Sequence, residues 1–169
     1  MNDSKGCSAV VRVAPCGLDR RMTIQQIFEL GCDAAALTHG NPSGWLPAGT
    51  MAAIIAGLSH GAELGAALDL ARTELTRYDA HAETSTAIEL AARMDGRMPG
   101  QRLTGAICGS ILGARYGRRA IPHEWRTALD AGPVIERLAA DFCVEFGPTP
   151  PSDAYGAPTA AWSARYFPR

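Results

Sequence analysis

Residues 64–78 of the 169-residue chain read LGAALDLARTELTRY, and this stretch shows the fold class most clearly. Its apolar side chains recur every three or four residues and form one stripe: Leu64, Ala67, Leu68, Ala71, Leu75 and Tyr78. Asp69 and Arg72 lie off the stripe, as expected for an amphipathic α-helix packed on a core. Similar spacing continues on both sides and strand-like alternation is absent, so we predict an all-α fold.

Helix-start signals place further helices along the first half of the chain. Thr23 and Gln26 have the spacing of a capping box and predict a helix that continues to about residue 37. Residues 41–44 are interpreted as a turn, and the next helix is predicted to begin near Pro47. Thr86, with a glutamate three residues later, is predicted to begin another helix in the same way.

The second half carries three more predicted helices. The first covers about residues 103–116, and we expect its glycine-rich side to let another backbone approach. The glycines of that side are spaced four apart: Gly105, Gly109 and Gly113. Pro122 and Pro133 are each predicted to open a short helix. The last of these helices is expected to bury four side chains: Ile135, Leu138, Ala139 and Phe142.

Composition divides the chain into two parts and excludes several classes of function. We predict a helical domain over residues 1–146 and a flexible, proline-rich tail over residues 147–169. An extended arm that docks through its aromatic side chains is the alternative for the tail; those side chains are Trp162, Tyr166 and Phe167. The net charge of −1 gives no reason to expect nucleic acid as a partner. The polar N-terminus, the absence of a long apolar run and five scattered cysteines predict a cytoplasmic protein without a membrane anchor.

Two segments carry the motifs of the chain. Residues 2–18 read NDSKGCSAVVRVAPCGL, and residues 104–125 read TGAICGSILGARYGRRAIPHEW. On the residues alone, the small polar stretch before Ala9 can present backbone N–H groups and the Lys5 ammonium to an anion. The alternative is a solvated N-terminus in which Ser4 caps a helix.

Both segments resemble the ADP-ribosylglycohydrolase family, magnesium-dependent enzymes that remove ADP-ribose from proteins. The resemblance implies a partial version of that fold, an orthogonal bundle of about seven helices. It also implies that the first segment is the loop around the diphosphate of ADP-ribose, lined here by Ser4, Lys5, Gly6, Cys7 and Ser8. The Thr38-His39 pair is similar to one in the family, whose histidine faces the ligand. For His39, capping of the last carbonyls of its own helix is the alternative.

The resemblance also implies that the metal site is lost. In the family, an acidic motif before the glycine-rich helix binds two magnesium ions together with an N-terminal acidic motif. The positions of the first motif carry Gly100, Arg102 and Leu103 here, and a guanidinium repels a divalent cation. We therefore expect neither a bound metal nor catalytic residues, and we interpret the chain as truncated and internally deleted between Met94 and Thr104. The remaining acids of the middle helices are interpreted as solvated faces and caps: Asp69, Glu74, Asp79, Glu83 and Glu89.

The sequence leaves three functions open. The chain is expected to belong to the ADP-ribosylglycohydrolase family and to lack hydrolysis, with ADP-ribose binding either partly kept or lost. Its partners would be ADP-ribose or an ADP-ribosylated protein. The first alternative is one half of a split hydrolase, completed by a separate chain. The second is a helical interaction protein that associates with a partner or with itself through apolar surface uncovered by the deletion.

Overall fold

The structure, a computed structural model, describes residues 2–93, 102–146 and residue 164. Within these residues the regular structure is entirely helical, which confirms the predicted all-α fold. The described α-helices are α1 (Ser8–Arg12), α2 (Ile24–Ala36), α3 (Pro42–Ser59), α4 (Leu64–Leu75), α5 (Ala82–Arg93), α6 (Arg102–Tyr116), α7 (His123–Thr127) and α8 (Gly132–Glu145). Three short 3-10 segments lie between them: Ala14–Leu18, Asp79–His81 and Arg118–Ala120.

The predicted capping box at the start of α2 is confirmed. The backbone N–H of Gln26 donates to Thr23 Oγ1 at 3.2 Å, and the backbone N–H of Thr23 donates to Gln26 Oε1 at 2.9 Å. Two backbone donors that the helix leaves without partners are thereby satisfied. The buried face of α2 then consists of Ile27, Phe28, Gly31, Cys32 and Ala35.

The start of α3 corrects the prediction of a turn at residues 41–44. Asn41 is the N-cap, its Oδ1 accepts from the backbone N–H of Ser43 at 3.0 Å, and Pro42 is the first helical residue. Pro47 lies inside the helix rather than near its start. Either proline suits a first turn, but only the first follows a residue whose side chain can cap the helix.

Helix α3 forms the centre of the molecule and is covered on all sides. Residues 48–58 are all buried, and α3 packs mainly against α2 and α4, with further contacts to α1, α5 and α6. Small residues permit these contacts. A Cβ atom on Gly49 would lie 2.4 Å from Cys32 Sγ, and one on Gly57 would lie 2.9 Å from Ala67 Cβ. The helices therefore meet nearly backbone to backbone.

Helix α4 has the predicted apolar stripe except at Leu64, which is 44% exposed, and α5 begins earlier than predicted. Ala67, Ala71 and Leu75 are buried against α3, and Leu68 and Tyr78 are half-buried. Helix α5 starts at Ala82, directly after the Asp79–His81 segment, so the predicted start at Thr86 is wrong. Its capping-box spacing falls inside the second turn of a helix that is already formed.

The last helices differ from the predictions for their buried faces. In α6, Ile107, Ile111 and Ala114 pack on the core, whereas the space around the would-be Cβ atoms of Gly109 and Gly113 is open. No backbone approaches those two glycines within the described part of the chain. The four α8 side chains predicted to be buried are exposed or only half-buried: Ile135, Leu138, Ala139 and Phe142. These predictions were wrong because helical spacing identifies an apolar face but not whether a neighbour covers it.

None of the described helices combines the length and the hydrophobicity needed to cross a bilayer.

Candidate ligand-binding site

The residues of the predicted loop lie beside His39. Ser8, the first residue of α1, has its Oγ 3.2 Å from His39 Nε2. Gly6 also faces the imidazole, because a Cβ built on it would lie 3.1 Å from His39 Nε2. The chain segment before α1 and His39, which lies shortly after the end of α2, therefore form one surface, although they are far apart in sequence. Cys7 is exposed at this surface, and Ser4 is half-buried.

His39 is held by hydroxyl groups on both ring nitrogens. Its Nδ1 lies 2.8 Å from Thr38 Oγ1, its Nε2 faces Ser8, and the residue is 5% exposed. Arg12 Nη2 donates to Thr38 Oγ1 and to the Ala34 carbonyl oxygen at 2.8 Å, which ties α1 to the end of α2. The His39 ring therefore contacts side chains rather than capping carbonyls of its own helix.

The first residues of the chain fasten the loop to the start of α3. Asn2 Nδ2 donates to the Thr38 carbonyl oxygen at 3.0 Å, and Asn2 Oδ1 accepts from the backbone N–H groups of Gly40 and Ser4 at 3.1 and 3.2 Å. Asn41 Nδ2 donates to Asp3 Oδ1 at 2.8 Å. Such side-chain to backbone bonds fix a loop that has no regular structure of its own.

A close backbone contact also holds the loop against α3. A Cβ atom on Gly44 would lie 2.6 Å from the Ser4 carbonyl oxygen and 2.9 Å from His39 Cβ. Only glycine leaves room there for the loop to lie directly on the first turn of α3. Ser4 does not cap α1, because the N-cap is Cys7 and no side chain bonds to that end of the helix.

An ion pair adjoins the loop. Lys5 Nζ lies 3.3 Å from Glu83 Oε2, and Ser43 Oγ donates to the same oxygen at 2.5 Å. These contacts lower the pKa of the Glu83 carboxyl, the Ser43 hydrogen bond most and the Lys5 ammonium next. Both charged side chains are more than half exposed, so the pair itself adds little stability. It places the Lys5 cation and a competing carboxylate together at the loop.

The loop and helix starts thus contain residues that the motif analysis missed: Asn2, Arg12, Ser43 and Glu83. Asn2 belongs to the motif of residues 2–18, but its bonds reach Thr38 and Gly40, which sequence spacing cannot show. Glu83 is one of the acids interpreted as solvated or capping residues, and it stands in the first turn of α5. Glu74 corrects the interpretation of the acids as solvated, because it is 9% exposed and pairs with Arg77 at 3.2 Å.

The carboxylates described here do not fit a two-magnesium site. Among the residues that the structure covers, no three His, Cys, Asp or Glu side chains are grouped as metal ligands. The two acids nearest the loop are already engaged, Asp3 with Asn41 and Glu83 with Lys5. Of the positions predicted to have lost metal ligands, Gly100 lies outside the described residues, and Arg102 and Leu103 are the first two residues of α6.

Comparison with known proteins gives one match. The family model described as ADP-ribosylglycohydrolase matches residues 1–104 and, as a second segment, residues 101–151. The two segments meet inside the region where the sequence predicts a missing stretch. No curated protein and no solved structure gives a significant match.

Proposed function

The chain belongs to the ADP-ribosylglycohydrolase family, and from this premise we propose that it binds ADP-ribose, free or attached to a protein, without hydrolysing it. One observation carries the proposal: the loop of residues 4–8 is fixed against a nearly buried His39, with Lys5 beside it. A binding surface held in place before the ligand arrives loses little conformational entropy on binding.

The chemistry of the loop suits a diphosphate. The loop offers backbone N–H groups, the Ser4 and Ser8 hydroxyls and one ammonium group, which are donors for phosphate oxygens. Helix α1 has only five residues, so its dipole contributes little to this site. Lys5 is the only lysine of the chain and already pairs with a carboxylate, so a phosphate would replace Glu83 as its partner.

The proposed loss of hydrolysis follows from the donor set. Magnesium requires hard oxygen ligands in an octahedron, and the family places carboxylates where this chain has Gly100 and Arg102. The acids near the loop are bonded to Asn41, Lys5 and Ser43 instead.

Thermal unfolding with ADP-ribose, with and without Mg²⁺, tests the proposal. A ligand present at 100 times its Kd stabilises the folded state by about 2.7 kcal/mol, which shifts the unfolding midpoint measurably. Lys5→Ala and His39→Ala are each expected to weaken binding roughly tenfold, about 1.4 kcal/mol. Arg20→Ala and His60→Ala, at exposed positions away from the loop, are the matched controls.

Two results would contradict the proposal. A midpoint shift that requires Mg²⁺ would mean that a metal site exists, and parent-like binding by both loop variants would mean that the loop is not the site. Glu83→Gln sharpens the test, because removal of the competing charge is expected to tighten binding without changing the need for Lys5.

A second candidate, a helical interaction protein, is favoured by a different observation. Nine large apolar side chains in residues 112–144 are exposed. They are Leu112, Tyr116, Ile121, Trp125, Leu129, Val134, Ile135, Leu138 and Val144. Apolar surface of this extent is typical of binding surfaces. A parent chain that ignores ADP-ribose and forms dimers by size-exclusion chromatography would support this function instead.

A further inference from the structure

Helices α7 and α8 enclose a groove that the proposed ADP-ribose site does not use. Its volume is about 470 Å³, and Trp125, Leu129 and Ile135 form much of its apolar wall. These three side chains are 69%, 49% and 50% exposed. The two helices therefore expose an apolar surface whose hydration is unfavourable.

The groove also contains a shielded hydrogen-bond donor that lacks an acceptor among the described residues. Arg126 lines the groove, and its Nε is shielded from solvent without a hydrogen bond to any group in the described part of the chain. The other two charged residues of the groove, Arg118 and Glu136, pair with each other. A buried donor without a partner costs free energy, so an acceptor in the groove would stabilise the structure.

The end of α8 is anchored near this groove. Phe142 and Phe146 stack with their ring centroids 4.3 Å apart, and the Arg21 guanidinium lies 4.8 Å from the centre of the Phe146 ring. Phe146, which directly follows α8, is therefore held in place. It comes 11 residues after Ile135, about 16 Å along the helix axis at 1.5 Å per residue.

We propose that residues 147–169 of the same chain bind in this groove. The segment contains four aromatic side chains, which are Tyr155, Trp162, Tyr166 and Phe167, and a single acid, Asp153. The aromatic rings match the apolar wall, and the carboxylate of Asp153 is an acceptor for Arg126. The charge and the chemistry of the segment are thus complementary to those of the groove.

The tether makes binding within one chain the favoured arrangement. About sixteen residues of the segment span at most about 50 Å when fully extended. This reach is about three times the distance back along α8. Attachment through a short tether also gives the segment an effective concentration in the millimolar range at the groove. The prolines of the segment restrict the unbound chain and so reduce the entropy lost on binding.

Limited trypsin digestion of the full-length chain tests this proposal. Cleavage after Arg165, followed by mass spectrometry, is expected to be at least tenfold slower in the parent than in Leu129→Asp, which places a charge in the groove. Leu64→Asp is the matched control, because Leu64 is similarly exposed (44%) but lies in α4, away from the groove. Circular dichroism verifies that both variants remain folded.

Three outcomes decide the matter. The proposal is supported if cleavage is slow in the parent and in Leu64→Asp, fast in Leu129→Asp, and independent of protein concentration. Equal cleavage of all three chains would overturn it. Protection that appears only at concentrations where size-exclusion chromatography shows a dimer would also overturn it, because a second copy would then fill the groove.

Discussion

Helices α4 and α8 are both amphipathic, yet only α4 buries its apolar face. Ala67, Ala71 and Leu75 of α4 are fully buried against α3 and α2, whereas Ile135 and Leu138 of α8 are half exposed. The same contrast holds for the two regions to which they belong. Among the described residues, every buried hydrophobic side chain stands at or before Leu75. Sequence pattern thus defines a face, but burial depends on the presence of a neighbour.

The boundary between the two regions lies near the internal deletion predicted between Met94 and Thr104, which stays a prediction. The two matched segments of the family model meet at residues 101–104, between the packed and the exposed region. Helix α6 still contacts α1 and α3 through one face, and most of the described apolar side chains of α7 and α8, which follow it, are exposed. Four predictions test how far the two regions differ.

The largest difference is expected in thiol reactivity. Burial raises the pKa of the Cys32 thiol to about 12, whereas Cys143 in α8 is exposed. Compared with an ordinary cysteine pKa near 8.5, the thiolate fraction of Cys32 is lower by more than about a thousandfold. We expect Cys7, Cys108 and Cys143 to react quickly with a thiol reagent at pH 8 and Cys32 to react only on unfolding. Rapid modification of Cys32 in the native state would mean that the packed region opens easily.

Truncation of matched leucines is expected to give the next largest difference. Leu46 is completely buried, so Leu46→Ala should lower the free energy of unfolding by about 2–5 kcal/mol. Leu138→Ala, at a position that is 49% exposed, should change it by less than about 1 kcal/mol. Urea denaturation measures both. Equal losses would indicate that α8 packs on the core in solution.

Glycine substitutions should act in opposite directions in the two regions. Gly49→Ala forces a Cβ atom against Cys32 Sγ and the Phe28 carbonyl oxygen, and overpacking of this kind costs about 1–3 kcal/mol. Gly113 in α6 has open space around it, so Gly113→Ala should stabilise the fold by up to about 1 kcal/mol. Thermal midpoints give the sign of each change. A destabilised Gly113→Ala variant would show that a backbone does approach that side of α6.

The smallest of these effects is expected at Asp19, whose partner Arg21 also contacts Phe146 in the exposed region. Asp19 is nearly buried and accepts both side-chain bonds of Arg21 at 2.9 Å, and the same guanidinium contacts Phe146. The Arg21 hydrogen bonds hold the pKa of the Asp19 carboxyl below its usual value. Asp19→Asn should therefore cost about 1–2 kcal/mol at neutral pH.

The sign of the pH dependence follows from that lowered pKa. The unfolded carboxyl titrates near pH 3.9, so the stabilisation by Asp19 is complete above that pH and is lost as the pH falls through the lower, folded value. The difference between parent and Asp19→Asn in urea denaturation should shrink below about pH 4. Asp69→Asn is the control, because the Asp69 side chain is 77% exposed and should matter little at any pH.

Sequence reasoning succeeded where a signal is local. The capping box of Thr23 and Gln26 and the stripe of α4 are visible in adjacent turns. The capping box is confirmed, and so is the stripe apart from the exposed Leu64. It failed at α3, where two prolines five residues apart each suit a helix start and only the bond from Ser43 to Asn41 distinguishes them. It failed again at α8, because periodicity carries no information about a covering neighbour.

The candidate site shows the same division. The motif and the Thr38-His39 pair pointed to residues that the fold brings within hydrogen-bond distance, Ser8 and His39. The bonds that hold these residues in place could not be predicted, since Arg12, Asn2 and Glu83 reach their partners across the tertiary structure. Whether the surface binds ADP-ribose stays a prediction for the experiments above.

The complete covering of α3 has a consequence for biosynthesis. The neighbours of α3 come from both sides of it in the chain, and among the described helices that pack closely on it α6 is the last. A ribosome therefore releases this apolar helix well before all its covers have been made. During that interval the nascent polypeptide should be a substrate for chaperones, and a premature stop codon between α3 and α6 should yield an insoluble product.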